Sequence, residues 1–294
     1  MFKLFKNMKQ ITILLATFCI VFTSYSQNQT AGRGATAMTM TTVSDNVSIS
    51  LGGTGAVTID FGDGTVKREV LYNNLTEHNH RYSVTATRTI TITGENVTHL
   101  SCTNNQLVNL DVSRNTALEY LDCRWNSLSS LDIGRNIALT ELFCCGNQLT
   151  ALNVRSNVEL LGLHCSNNQL TNIDVSQNTK LGVLTCIDNR LSSLNVSQNI
   201  SLGYLMCGNN PLRSLDVSNN PMLISLESYN NQLTSLNLSQ NRSLTHLNCA
   251  GNQLTSLDLS QNRSLTELVC EDNQLDVEAL RTFVRTLQDN RVTR

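Results

Sequence analysis

Charge is scarce in this chain of 294 residues: 15% are Asp, Glu, Lys or Arg, and the formal net charge is -2. A nucleic-acid partner needs a clustered basic face, and no such cluster occurs, so nucleic acid is not expected as a ligand. Long apolar runs are missing after residue 26, so the mature chain is expected to carry no membrane span. Missing too is any linker rich in proline, serine or charge that would separate two independent domains.

What is present is a repeat. From Val97 to Ser264 a unit of 21 residues is copied eight times without insertion or deletion, and a ninth copy opens at Leu265. One unit runs from Leu118 through Leu121, Cys123, Asn126, Leu128, Leu131, Ile133 and Asn136 to Ala138. A fixed short period means a stack of coils, each contacting mainly its neighbours. Six apolar positions per unit, such as Leu244, Leu247, Cys249, Leu254, Leu257 and Leu259, supply the core of one turn. The column Asn105, Asn126, Asn147, Asn168, Asn189, Asn210, Asn231, Asn252 and Asn273 reads as a structural ladder, because a buried amide can both donate to and accept from backbone groups. A second asparagine, such as Asn262, recurs in every complete unit.

Ten cysteines in an exported chain would ordinarily suggest disulfides. Here Cys102, Cys123, Cys144, Cys165, Cys186, Cys207, Cys249 and Cys270 share one column, with Ser228 in its gap. Parallel in-register strands place such side chains ~4.8 Å apart, farther than the ~3.8 Å between Cβ atoms that a disulfide prefers. Buried free thiols are therefore expected. A straight ladder with one ligand per coil also cannot wrap a tetrahedral zinc ion, and no metal or cofactor is expected. Cys145 lies outside the column, points outward and is the cysteine expected to be reactive.

The first 26 residues read as an export signal: Lys3, Lys6 and Lys9 open it, Ile11 to Phe22 is apolar, and small residues precede Gln27. The run is shorter than the ~20 residues that a membrane anchor needs. Residues 27–35 form a flexible lead-in. Over residues 36–96, Thr, Val and Ile alternate in short runs such as Asn46 to Leu51, Ala56 to Phe61 and Arg88 to Thr93. Gly52-Gly53 and Gly62-Asp63-Gly64 are read as tight turns between strands. At the far end Val277, Leu280, Val284 and Leu287 follow the helical period behind an N-cap at Asp276, so 276–294 is expected to form a capping helix and tail.

Two resemblances follow from these residues. Ile59 to Thr65, with His80-Arg81-Tyr82 and the following Thr-Ile-Thr-Ile run, resembles the second half of a PKD-type domain, an immunoglobulin-like sandwich found in exported bacterial proteins, with Phe61 in place of the usual tryptophan. Asp60 and Asp63 could be drawn as calcium ligands, although a Gly-Asp-Gly turn accounts for them without a metal. The unit Leu-x-x-Leu-x-Cys-x-x-Asn-x-Leu resembles the leucine-rich repeat family, and its length is close to that of bacterial surface repeats of the internalin type. The resemblances imply a mainly β chain: a small immunoglobulin-like β-sandwich at 36–96, acting as N-terminal cap, then a right-handed leucine-rich repeat solenoid of about nine coils at 97–275. The Leu-Asp-x-Ser-x-Asn half of each unit fits the leucine template too, so each coil can carry two short extended segments on opposite faces.

The two halves differ in variability. One half holds the column Asp111, Asp132, Asn153, Asp174, Asn195, Asp216, Asn237 and Asp258, set among serines. It lacks the glycine-rich nonapeptide of calcium-binding repeats and the strict Thr-x-Thr of an ice-binding array. The other half places Tyr120, Arg124, Trp125, Phe143, His164, Tyr204, Met206, Tyr229 and His246 outward. Aromatic residues on an outward strand face mark interfaces. The expected function is an exported or cell-surface binding protein, monomeric, that mediates adhesion by recognising a protein or glycan through this face. A structural surface component without a specific ligand is the alternative, and a carbohydrate-active solenoid enzyme comes third. An enzyme is not expected, because nothing orients Cys145 and His164 as a nucleophile and base.

Overall fold

The computed structural model describes residues 36–276, which belong to one compact unit. The expected export signal, the lead-in up to Ala35 and the expected helix beyond Asp276 lie outside the described residues. Among those described there are strands and turns, and no helix. Five long strands come first: β1 (Thr36–Thr42), β2 (Asn46–Asp60), β3 (Val66–Tyr72), β4 (Thr76–Arg81) and β5 (Arg88–Ser101). β6 (Leu107–Asp111) follows, and then a series with three residues per strand. These are β7 (Tyr120–Asp122), β8 (Glu141–Phe143), β9 (Gly162–His164), β10 (Val183–Thr185), β11 (Tyr204–Met206), β12 (Ser225–Glu227), β13 (His246–Asn248) and β14 (Glu267–Val269).

All of these strands share one hydrogen-bonded sheet. The N-terminal strands therefore do not form an immunoglobulin-like sandwich separate from the array. β5 is the shared element: its first half pairs antiparallel with β1, β2 pairs antiparallel with it from Thr91 to Ser101, and its last residues His99, Leu100 and Ser101 also pair parallel with Tyr120, Leu121 and Asp122 of β7. The expected boundary at 96/97 falls inside this strand.

Gly52-Gly53 is not a turn, because both glycines lie within β2 at a bulge in its pairing with β5. Gly53 has φ 136°, and a Cβ there would collide with the Asn96 carbonyl. The glycine permits close backbone approach rather than chain reversal. Gly62-Asp63-Gly64 does form a turn, in which Asp60 Oδ1 accepts from the Gly62 N–H and Asp63 Oδ1 from the Thr65 N–H, each at 2.9 Å. Asp63 Oδ2 lies 2.8 Å from His80 Nε2, so both carboxylates serve the turn and its neighbour.

In the array, Leu121, Leu142, Leu163, Leu184, Leu205 and Leu226 are fully buried, and so is the cysteine column from Cys102 to Cys249. The described cysteines are free thiols, and burial raises the pKa of each thiol in the column. After β6 the second half of each coil forms turns, not strands. Its Asp/Asn column closes these turns: Asp111, Asp132, Asp174 and Asp216 each accept, through Oδ1, from the backbone N–H two residues on at 2.9–3.0 Å, and only at Asp111, where β1 lies alongside as a partner, does the half-coil form a strand. The parallel sheet thus belongs entirely to the Leu-x-x-Leu-x-Cys half.

Two asparagine ladders join the coils. Asn168 of the first donates through Nδ2 to Cys144 O at 3.0 Å and Cys165 O at 3.1 Å, while its Oδ1 accepts from the Leu149 N–H at 3.0 Å. Asn178 of the second donates to Val154 O at 3.0 Å and Asn157 O at 2.8 Å, and its Oδ1 is buried without a partner. The first rungs find substitutes for a preceding coil in the N-terminal strands. Asn105 exchanges bonds with the Ser48 backbone, accepting at 2.9 Å and donating at 2.7 Å. Asn115 donates to Val97 O at 2.8 Å and to the Met38 sulfur at 3.2 Å.

Candidate functional site

Leu121, Leu142 and their equivalents point inward, so the residues on either side of them in each short strand point outward. Register aligns these residues in two columns. One runs His99, Tyr120, Glu141, Gly162, Val183, Tyr204, Ser225, His246 and Glu267. The other runs Ser101, Asp122, Phe143, His164, Thr185, Met206, Glu227, Asn248 and Val269. The expected site residues fall on this face, in two groups separated by the small side chains of Gly162, Val183 and Thr185.

The N-terminal group is a continuous stack of rings. His99 and Tyr120 lie 5.7 Å apart, Tyr120 and Phe143 5.4 Å, and Phe143 and His164 4.3 Å with planes 3° apart. The Arg124 guanidinium lies 5.0 Å from the Phe143 ring centroid. Asp122 holds it with two bonds, Nε to Oδ1 at 2.9 Å and Nη2 to Oδ2 at 2.6 Å, a bidentate pair that fixes the fork. Phe143 is consequently only 6% exposed and Met206 8%, so neither projects as the free anchor the sequence suggests; neighbours on adjacent strands cover them.

Trp125 projects instead. It is 57% exposed and has φ 56°, in the left-handed region. Every coil places a left-handed residue at this position: Asn104, Gly146, Asn167, Asp188, Asn209, Asn230, Gly251 and Asp272. Asn, Asp and Gly tolerate that conformation, whereas a bulky side chain is strained by it. Gly146 on the next coil leaves room for the indole, since a Cβ there would enter the ring. In the C-terminal group Gly208 makes the same accommodation for the Tyr229 ring. Tyr204 stands in the Tyr120 column, two rungs before His246, whose Nε2 lies 3.5 Å from Glu267.

Burial shifts titrating groups in both regions, raising the Glu227 carboxyl as well. Burial pushes the His164 pKa down to about 4, with the Arg124 charge adding to the effect, and lowers that of His99. Burial pushes the Glu141 carboxyl up to about 7. Cys145 is half-buried and its thiol pKa is raised, again by burial, so it is not the activated thiolate expected from its outward position. Asp122, Glu141, Gly146 and Gly162 were not among the residues the sequence singled out. A tryptophan in a column otherwise made of Asn, Asp and Gly was a readable signal, as were Gly146 one coil after Trp125 and Gly208 one coil before Tyr229.

The repeating strand, inward leucines and asparagine ladder define a leucine-rich repeat solenoid, the fold of protein-interaction scaffolds. Among solved structures, the functional domain of InlJ from Listeria monocytogenes, which includes a cysteine ladder, is similar over 68% of this chain and 50% of its own, at 33% identity and a TM-score of 0.53. A leucine-rich repeat protein of Leptospira interrogans shares the fold at 24% identity over 60% of this chain and 55% of its own, with a TM-score of 0.55. The leucine-rich effector YopM of Yersinia pestis matches at 27% identity over 60% of this chain and 49% of its own, with a TM-score of 0.51. This chain thus spans about half the length of these relatives. No family model and no curated protein matches the sequence. No helix among the described residues is long and apolar enough to cross a membrane.

Proposed function

We propose that this chain is an exported, non-catalytic recognition module that binds a protein or glycan ligand through the outward face of its short parallel strands, in an adhesive role. Trp125 carries the reading. An exposed indole at a backbone position that every other coil gives to Asn, Asp or Gly costs stability, and strain that persists on a surface points to use. Around it Tyr120, Arg124 and Phe143 form a rigid floor, so little ordering accompanies binding. Tyr204, Met206, Tyr229 and His246 offer a second contact region on the same face. Residues 1–26 serve as the export signal, and the N-terminal strands as a cap whose sheet continues into the array. The absence of catalysis is supported by the raised Cys145 thiol and by His164, which is kept neutral and stacked.

The test is binding of the protein to protein and glycan arrays, compared with Trp125→Asn. Ligands lost by the variant, at an equal or higher melting temperature, support the reading. Ligands retained by the variant would move the site elsewhere, and an empty array would favour a structural component.

A further inference from the structure

Asp122 and Arg124 neutralise each other, and His99 and His164 are held uncharged by burial. The charge left in the N-terminal ring stack is that of Glu141. This carboxylate stands in the outward column between Tyr120 and Gly162, on the same strand as Phe143. It lies over Gly162, where a Cβ would meet its carboxyl oxygen and push the side chain aside. No lysine or arginine nitrogen among the described residues comes within ion-pair distance of Glu141, and His164 Nε2 lies 4.0 Å away, too far for a hydrogen bond. Its side chain is 33% exposed, so the carboxylate is open to a ligand.

An unpaired, partly exposed carboxylate beside an aromatic residue on the neighbouring strand has one kind of complement. A cation gains from the charge and from the ring quadrupoles together, and it offsets the desolvation that an apolar surround imposes on an unpaired anion. Resting on the reading of this face as a recognition surface, we propose that the outward surface at Glu141 is a subsite for a cationic side chain of the partner, an ammonium or guanidinium, with Glu141 as counter-ion and its cross-strand neighbour Tyr120 beside it. Glu119, which precedes β7, adds a second negative charge near the rim. The charged and titratable groups on the neighbouring coils are Tyr120 and Asp122 of β7, Arg124 just after it, and His164 of β9.

The subsite is measurable without knowing the partner. n-Butylguanidinium and n-butylammonium are titrated into the full chain, with n-pentanol as the neutral control. Readouts are the Trp125 emission and the 13C shifts of labelled glutamate carboxyls, with Glu141 assigned from Glu141→Gln. Saturable binding of both cations, at least about tenfold weaker in Glu141→Gln and also weaker in Gly162→Ala, is expected. The bound cation stabilises the ionised carboxyl, so affinity should fall as pH drops below about 7, where Glu141 takes up its proton. His164 titrates near 4 and does not contribute in that range. Equal affinity in Glu141→Gln, or n-pentanol binding as tightly as the cations, overturns the proposal. The recognition reading fails separately: an empty array sinks it while the probe titration stays interpretable, and Trp125→Asn should abolish array ligands while leaving the Glu141 shift on cation binding intact.

Discussion

Each coil writes the leucine template twice, and the two copies behave differently. In the Leu-x-x-Leu-x-Cys half, side chains next to the core leucine point out and vary from Tyr120 to Gly162 to Glu267, while the backbone forms a parallel ladder. In the Leu-Asp-x-Ser half, the Asp or Asn caps its own turn, no ladder forms after β6, and the residues hardly change. The asparagines follow the same division. Those behind the strand use both ends of the amide, whereas those behind the turns leave Oδ1 unpartnered in seven successive coils from Asn136 to Asn262. Variation is tolerated where side chains leave the coil, and constancy is required where side chains close it.

The comparison can be broken most severely at the ladders. Asn168→Ala removes the acceptor of the buried Leu149 N–H as well as donors to two carbonyls, and should cost about 3–5 kcal/mol in urea unfolding. Asn178→Ala leaves Val154 O and Asn157 O each with a remaining backbone donor, so the cost should be nearer 2 kcal/mol. Equal costs would erase the distinction between the halves. Ser228, which interrupts the cysteine column with a buried, unpartnered hydroxyl, should give about 1–2 kcal/mol of added stability when changed to Cys. Trp125→Asn should stabilise by about 1 kcal/mol through relief of left-handed strain, even as it removes binding; a loss of stability would mean that the indole packs as part of the fold.

The smallest effect is a pair of opposed pH slopes. Glu141 is favoured neutral in the fold, so its contribution is full below the ordinary carboxyl pKa and is lost as pH rises toward 7. His164 is also favoured neutral, so its contribution is full above 6.5 and is lost as pH falls toward 4. The slopes oppose one another in the wild type between about pH 4.5 and 6.5. Glu141→Gln should uncover a decline toward acid, and His164→Gln a decline toward neutral, both read from thermal melts.

The array was legible because it states its rule repeatedly. A leucine or cysteine that recurs every 21 residues has to occupy the same place in every coil, and an asparagine that recurs with it has to bond the neighbours of that place. Which half carries the sheet was not legible, because Leu254 to Asn262 satisfies the same apolar pattern. The Asx bond does not decide it either: Asp258 Oδ1 accepts from the Ser260 N–H at 2.9 Å in a turn, while Asp111 makes the same bond at the end of β6, where β1 supplies a partner strand. In the N-terminal strands Gly52-Gly53 reads as a reversal, since only the partner strand reveals that the backbone of Asn96 needs that space. Phe143 and Trp125 look equivalent in sequence. Their difference comes from cross-strand stacking on His164 in one case and a left-handed backbone in the other.

The first rungs have a wider consequence. Ser48, Val97 and Met38 present to Asn105 and Asn115 what any coil presents to the next, so the N-terminal strands act as a seed on which coils are laid down in register. Growth from such a seed is indifferent to length. A whole unit of 21 residues can be excised or duplicated between His164 and Tyr204 with every rung still finding its neighbour. The molecule is in this sense a ruler: each unit gained or lost moves the Tyr204–Tyr229 group relative to Trp125 by one step of ~4.8 Å, and the distance between contacts can be reset without altering either contact.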